Sequence, residues 1–186
     1  MSNEIDAVRT FDIGIVGAGP GGLAAAHALS KEGFTVAVFE RAKEFRPAGA
    51  AVGLQAEAYS ALEQISGELA NRVRELSTNP KHQSLIRPDG EVLFSDECPL
   101  KDTPFTWTAW YTLQTCLRES LPESVKVLLN HKLLTFNVYD ESEVHLVFEN
   151  QKPQIIKVLI GADGYNSAIR AITVGDGHHC TQAQCR

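Results

Sequence analysis

Three glycines near the start of the chain lie at a spacing that could hold a phosphate group. Gly17, Gly19 and Gly22 form G-x-G-x-x-G in "GIVGAGPGGLAAAHAL", between an apolar run and an Ala- and Leu-rich segment. Gly17 allows a tight turn, Gly19 lacks the side chain that would block a pyrophosphate, and Gly22 lets a helix approach the strand. The N–H groups and positive dipole end of that helix would then face the phosphates.

A carboxylate follows at the end of the next apolar run, "TVAVFE". Glu40 lies 23 residues after Gly17, where an acidic side chain accepts hydrogen bonds from a ribose diol. The acid also disfavours NADP, because it would repel a 2'-phosphate. These residues fit FAD and NAD equally, since both contain an ADP half, and they also fit a glycine-rich turn in a domain that binds no nucleotide.

A second acidic turn lies far along the chain, in "VLIGADGYNSAIR". Here an apolar strand ends at Asp163 and Gly164, and the carboxyl end of a sheet is where α/β folds bind their ligands. A carboxylate beside a pyrophosphate is unfavourable unless it accepts hydrogen bonds, so the ribityl chain of FAD is its natural partner. Gly164 permits the turn, and Asn166 or Ser167 is the predicted N-cap of a following helix. The turn favours FAD, with an NAD-only Rossmann enzyme as the alternative.

Positioning these residues requires a sheet whose strands end together. Strands at 11–16 and 35–40 flank a helix at 20–33 and predict a βαβ unit with parallel strands and a right-handed crossover. The remaining predictions are a loop at 41–54, helices at 55–76 and 111–123, a hairpin at 84–94, and strands at 125–129, 132–139 and 143–150. The order predicts an α/β fold: a Rossmann-like FAD-binding domain with a parallel sheet plus an antiparallel β hairpin layer.

Composition limits the class of protein. The chain has 186 residues, 44% of them hydrophobic and 22% charged, which predicts a soluble globular protein. Its net charge of -6 offers no basic surface for nucleic acid. No apolar run approaches the roughly 18 to 20 residues of a membrane span, and the acidic start lacks signal-peptide features, so we expect a cytoplasmic location.

The cysteines predict neither disulfides nor a metal site. They lack a disulfide-framework spacing and are expected to be reduced: Cys98, Cys116, Cys180 and Cys185. The tract "HHCTQAQC" could bind a metal, but its terminal, polar character favours a disordered tail over 178–186. Residues 1–177 are then predicted to form an incomplete FAD-binding domain.

Together, the glycine turn and the acidic turn resemble those of the FAD-dependent aromatic hydroxylases of the p-hydroxybenzoate hydroxylase type. This family includes salicylate hydroxylase and zeaxanthin epoxidase, and the resemblance runs from about residue 11 to about residue 177, including "ERAKEFRPAGAAVGLQAEAYSALEQI". It implies a flavoprotein monooxygenase that uses NADH or NADPH and O2 on a small aromatic or polyene substrate. It also implies that Asp163 contacts the ribityl or pyrophosphate region and that Arg41 lies by the adenine.

Two features depart from that family. Many members carry an arginine where the mid-domain helix begins, whereas this chain has Trp110 there. Gly175 and Asp176 are not preceded by a buried strand, so they predict a turn and not the family's second flavin motif. The chain is therefore expected to be truncated relative to the family.

Two functions remain open from the sequence. One is an FAD-dependent monooxygenase, and the other is a truncated FAD-binding module without monooxygenase activity. The sequence identifies no catalytic side chain and no substrate, and it leaves homo-oligomerisation open.

Overall fold

A computed structural model describes residues 8–47, 49–97, 105–140 and 143–175. The strands are β1 (Val8–Val16), β2 (Val36–Phe39), β3 (Ala51–Leu54), β4 (His82–Ile86), β5 (Val92–Glu97), β6 (Thr106–Ala109), β7 (Lys126–Leu128), β8 (Leu133–Asp140), β9 (Glu143–Phe148) and β10 (Gln154–Gly161). The helices are α1 (Pro20–Lys31), α2 (Ala56–Ile65), α3 (Gly67–Glu75), α4 (Trp110–Glu119) and α5 (Ala168–Val174). The predicted tail at 178–186 and Asp176 lie outside the described residues.

The chain divides into two compact units. The described residues up to Phe45 and those from Leu121 onward form the first unit, and residues 46–120 form the second. Among the residues described, no helix combines the length and apolar character needed to cross a membrane.

The first unit is built on a six-stranded sheet in the order β7-β2-β1-β10-β9-β8. β1 lies between β2 and β10 and pairs with both in parallel, while β10, β9 and β8 pair in antiparallel fashion. The β-branched residues of β1 and β2 suit such fully buried strands, and all four residues of β2 are buried. This confirms the predicted Rossmann-like fold with its antiparallel layer.

Helix α1 connects β1 with β2, its parallel neighbour in that sheet. Its side chains Leu23 and Ala26 are fully buried, which fixes the face of the helix that packs inward. The helix ends at Lys31, and Gly33 follows with a positive φ of 87° that a side chain would disfavour. The short return to β2 then delivers Glu40 to the same edge of the sheet as the glycine turn.

In the part that the structure describes, the second unit combines three helices with two short sheets. β3 pairs with β6, and β4 pairs with β5 in the predicted hairpin, whose turn has Gly90 at φ 91°. Tyr59 is 2% exposed, and its hydroxyl lies 2.6 Å from the Thr106 hydroxyl. A buried hydroxyl of this kind requires a hydrogen-bond partner, so this pair connects α2 with β6.

Two predictions for this unit were wrong. The predicted loop at 41–54 contains β3, and its partner β6 was not predicted at all. The predicted single helix over 55–76 is two helices, because Ser66 adopts an extended conformation (φ -163°, ψ 129°) between them. The Ser66 hydroxyl accepts a hydrogen bond from Leu69 N–H and so starts α3 as an N-cap.

Candidate nucleotide site

Three neighbouring strands of the first unit end at one edge of the sheet. Val16 at the end of β1 pairs with Phe39 at the end of β2 and with Gly161 at the end of β10. Since these strands are parallel, the turns that follow them all leave from that edge. The structure therefore brings together the predicted glycine turn, the predicted carboxylate of Glu40 and the predicted Asp163 turn.

The glycine turn and the Asp163 turn are in direct contact. Gly17 has φ 108°, and a Cβ built there would collide with the carbonyl oxygen of Ala162. Gly17 N–H donates to Phe39 O at 2.8 Å, and Ala162 N–H donates to Val16 O at 2.8 Å. Glycine at position 17 is thus required by both its conformation and its contact with the second turn.

The N-terminus of α1 opens from the glycine turn. Gly19 is its N-cap residue, and Gly19 O accepts a hydrogen bond from Leu23 N–H at 3.0 Å. Pro20 occupies the first turn, no side chain caps the helix within the described part of the chain, and its first turn contains no acidic residue. A Cβ at Gly22 would collide with Gly17 O, so this glycine permits the close approach of helix and turn.

An uncapped N-terminus without acidic side chains suits an anion. The contact of Gly19 with a pyrophosphate stays a prediction, since its backbone is extended (φ -72°, ψ 172°) and requires no glycine.

Glu40 is half-buried, and its carboxylate accepts two backbone hydrogen bonds. Oε2 accepts from Ala18 N–H at 2.8 Å, and Oε1 accepts from Ala42 N–H at 2.9 Å. The sequence pattern placed this carboxylate beside the turn but gave no sign of either bond. Its predicted contact with a ribose and the predicted position of Arg41, which is exposed, by the adenine stay predictions.

Asp163 is half-buried and caps α5. Oδ2 accepts hydrogen bonds from Ala168 N–H at 2.7 Å and Ile169 N–H at 3.3 Å. Of the two predicted N-caps, Ser167 fills the role, since its hydroxyl accepts from Arg170 N–H at 2.9 Å. Sequence reasoning missed the capping by Asp163, because an acid five residues before a helix N–H is outside the usual capping pattern.

Gly164 completes the Asp163 turn. Its φ is 80°, and a Cβ there would meet no atom within 4 Å. The glycine is therefore needed for its left-handed conformation and not for space. Its predicted contact with FAD stays a prediction.

Another carboxylate, Asp12, lies beside the residue that precedes β2, at the opposite end of that strand from Glu40. Its Oδ1 accepts from Lys157 Nζ at 2.6 Å, and its Oδ2 accepts from Thr35 Oγ1 at 2.6 Å. The hydrogen bond from the Lys157 ammonium, followed by those from Thr35, holds the pKa of Asp12 well below the ordinary value of an aspartate. This carboxylate joins β10 to the β1–β2 pair and takes no part in the candidate site.

The parallel strands, the glycine turn and the acid after β2 define a dinucleotide-binding α/β domain. The family model described as "FAD binding domain" matches residues 10–180, and this chain belongs to that family. The match confirms the predicted FAD-binding domain, and it does not support the NAD-only alternative.

Several relatives are monooxygenases, which confirms the predicted resemblance to that class of protein. The chain is 34% identical over 172 residues to 6-hydroxynicotinate 3-monooxygenase of Pseudomonas fluorescens, covering 88% of this chain and 43% of that protein. It is 29% identical over 169 residues to an uncharacterised protein of Mycobacterium tuberculosis, covering 87% of this chain and 44% of that protein. The chain thus spans less than half of the length of these relatives.

Solved structures share the fold. The p-nitrophenol 4-monooxygenase of Pseudomonas putida has a TM-score of 0.74 at 23% identity, with 89% of this chain and 44% of that chain covered. The flavin-dependent monooxygenase PieE, solved in complex with FAD and substrate, has a TM-score of 0.75 at 21% identity, with 88% and 32% covered. At these identities the comparisons establish the fold.

Proposed function

We propose that this chain binds FAD with the ADP half at the glycine turn, and that it forms the FAD-binding part of a cytoplasmic monooxygenase. The enzyme would use NADH or NADPH and O2 to hydroxylate or epoxidise a small aromatic or polyene substrate. The observation that carries the proposal is the contact between the Gly17 turn and the Asp163 turn, because it presents two cofactor-type motifs at one edge of the sheet.

The residues at this edge fit a dinucleotide. The N-terminus of α1 has no acidic residue in its first turn and offers its dipole to the pyrophosphate. Gly17, Gly19 and Gly22 would bind the diphosphate, and Glu40 would accept hydrogen bonds from the adenosine ribose. Arg41 would lie by the adenine.

The Asp163 turn supports FAD over NAD as the cofactor. Both hydrogen bonds that the Asp163 carboxylate accepts within the described residues go to Oδ2. A carboxylate oxygen has two lone-pair sites, so Oδ1 has the capacity to accept hydroxyl groups of a ribityl chain. Gly164 supplies the left-handed backbone conformation of this turn.

The protein's contribution to the reaction is binding and orientation. Bound FAD would supply the redox chemistry that connects the nicotinamide donor, O2 and the substrate. Among the residues of the first unit, Glu40 and Asp163 are acceptors for hydroxyl groups, and neither is assigned a proton-transfer role.

The second candidate function is an FAD-binding module without monooxygenase activity. It is consistent with one observation, that the chain spans less than half of the length of its monooxygenase relative from Pseudomonas fluorescens. Both functions require FAD binding and differ only in turnover.

The purified 186-residue chain provides a test of cofactor binding. We expect a yellow protein that releases FAD on denaturation, and we expect Asp163→Asn to weaken FAD about tenfold through loss of a charge-assisted hydrogen bond. Asn retains an oxygen that can cap α5, so the variant should fold. Asp89→Asn, in the hairpin turn of the other unit, removes the same charge and should bind FAD normally. A colourless protein that takes up no added FAD would contradict the proposal.

Turnover separates the two candidate functions. Oxidation of NADH or NADPH that is stimulated by a phenolic compound and yields a hydroxylated product would establish the monooxygenase. FAD binding with substrate-independent oxidation that yields only H2O2, or with no oxidation, would favour the module.

A further inference from the structure

The carboxylate of Glu40 connects two loops of the candidate nucleotide site. One oxygen accepts from Ala18 N–H, inside the glycine turn, and the other accepts from Ala42 N–H, in the loop after β2. Both bonds have the short lengths of hydrogen bonds to a charged acceptor, which are stronger than those between neutral groups. Both are present in the protein without any nucleotide hydroxyl.

Backbone hydrogen bonds hold Glu40 and the following loop in place. Glu40 N–H donates to Leu128 O at 2.9 Å, and Glu40 O accepts from His131 N–H at 2.8 Å. Ala42 O accepts from Asn130 N–H at 2.8 Å, so the loop after β2 is also tied to the loop after β7. Because the backbone of Glu40 is held in this way, its side chain can restrict the conformation of a loop to which it is hydrogen-bonded.

The glycine turn needs such a restraint. Gly17 lacks a side chain and has access to much of backbone conformational space, so an ordered turn loses more entropy there than at other residues. Ala18 is fully buried, so its N–H is out of contact with water. If the Glu40 carboxylate were removed, this N–H would lose an acceptor that water could not replace. The bond to Glu40 therefore stabilises one conformation of the turn.

We propose that Glu40 is a positioning residue, whose carboxylate holds the glycine turn and the 41–42 loop in the shape that receives a nucleotide. This positioning does not require any contact between Glu40 and the ribose. It rests on the proposed function, because it assumes that the site binds a nucleotide. It is compatible with ribose binding, because each carboxylate oxygen has two lone-pair sites and uses one for a backbone N–H.

Glu40→Gln tests the proposal with two nucleotides. The Gln amide has an oxygen at one end and an NH2 group at the other. In either orientation of the amide, the N–H of Ala18 or of Ala42 therefore faces a donor instead of an acceptor. ADP and 2',3'-dideoxy-ADP share a diphosphate, and the second lacks the ribose hydroxyls. If Glu40 positions the glycine turn, the variant should bind dideoxy-ADP about tenfold more weakly than the unaltered protein does. If Glu40 only contacts the ribose, the variant and the unaltered protein should bind dideoxy-ADP equally well. Unchanged binding would overturn the proposal.

Asp12→Asn is the matched control. It removes a carboxylate that also joins strands of the same unit, at the opposite end of β2 from Glu40. Dideoxy-ADP affinity should be unchanged in this variant. If Asp12→Asn weakens dideoxy-ADP as much as Glu40→Gln does, the effect is general destabilisation and the proposal fails.

Amide hydrogen exchange in the nucleotide-free protein provides a test that needs no variant. Ala42 is exposed, and its N–H is bonded to the Glu40 carboxylate, so its exchange should be at least about tenfold slower than that of neighbouring Lys43. Equal exchange at the two amides would overturn the proposal. Failure of the unaltered protein to bind ADP or FAD would overturn the proposed function, and exchange at Ala42 would still decide whether Glu40 restrains the loop.

Discussion

At the scale of single residues, Gly17 meets two separate requirements. Its φ of 108° is unfavourable for residues with a side chain, and its α-carbon faces the Ala162 carbonyl of the second turn. Gly17→Ala should therefore destabilise the nucleotide-free protein by at least about 2 kcal/mol, since strain and a backbone collision act together. Urea denaturation without added nucleotide measures this difference.

Gly21→Ala is the matched control for Gly17→Ala. A Cβ at Gly21 meets no atom within 4 Å, and the residue lies in the first turn of α1. Alanine has the higher helix propensity, so stability should be unchanged or rise by up to about 1 kcal/mol. Equal stability of the two variants would contradict the contact between the two turns.

The sequence predicted which residues come together at the site, but not what they bond. Glycine spacing and strand ends are local features, so they placed Gly17, Glu40 and Asp163 at one edge. The hydrogen bonds of Glu40 to Ala18 and of Asp163 to Ala168 depend on how closely the loops approach one another. That distance follows from packing, which no local pattern encodes.

At the scale of secondary structure, the α2–α3 boundary depends on one serine. Apolar residues continue at helical spacing across it, which is why a single helix was predicted, yet Ser66 is extended and caps α3. Ser66→Ala should lower the free energy of unfolding by about 1 kcal/mol through loss of the cap.

Ser66→Asp supplies the control, because aspartate is an equally good N-cap. Chemical denaturation of both variants measures the effect. An alanine variant as stable as the unaltered protein would show that the 3.3 Å bond to Leu69 N–H contributes nothing.

The missed strands have a related explanation. β3 and β6 have only four residues each, and β3 contains Gly53, a residue that weakens a strand. A Cβ at Gly53 would contact the Phe105 ring at 2.9 Å, which shows that the glycine makes room for an aromatic side chain. The pairing of β3 with β6 thus involves a tertiary contact, whereas the apolar, β-branched strands β1 and β2 could be predicted from their own sequences.

At the scale of the whole molecule, the first unit is assembled from both ends of the chain. β1 has β2 on one side and β10, from the last third of the chain, on the other. The strand that precedes Asp163 is therefore a direct neighbour of the strand that leads into the glycine turn. The fold and the candidate site both depend on the pairing of β1 with β10. The ion pair between Asp12 and Lys157 connects these two strands.

That ion pair should make stability depend on pH. The pKa of Asp12 is lowered in the folded protein, chiefly by the Lys157 ammonium, so the carboxylate contributes stability above the pKa of an unfolded aspartate. The contribution is lost as pH falls from about 4 toward the folded pKa, because the unfolded chain binds the proton first. Asp12→Asn should thus be less stable than the unaltered protein at neutral pH, and the difference should shrink below about pH 4.

Urea denaturation of both proteins from about pH 7 to about pH 2 measures that difference. Glu149→Gln is the control, because it removes a pair with Lys132 at 3.3 Å in which both side chains are exposed, and such pairs contribute little. A deficit of Asp12→Asn that is constant with pH, or that grows in acid, would contradict the assignment of a charged bond between β1 and β10. If the stability deficit of Asp12→Asn disappears in acid and Glu149→Gln shows no such change, the charge of Asp12 holds β10 in the sheet on which the nucleotide site is built.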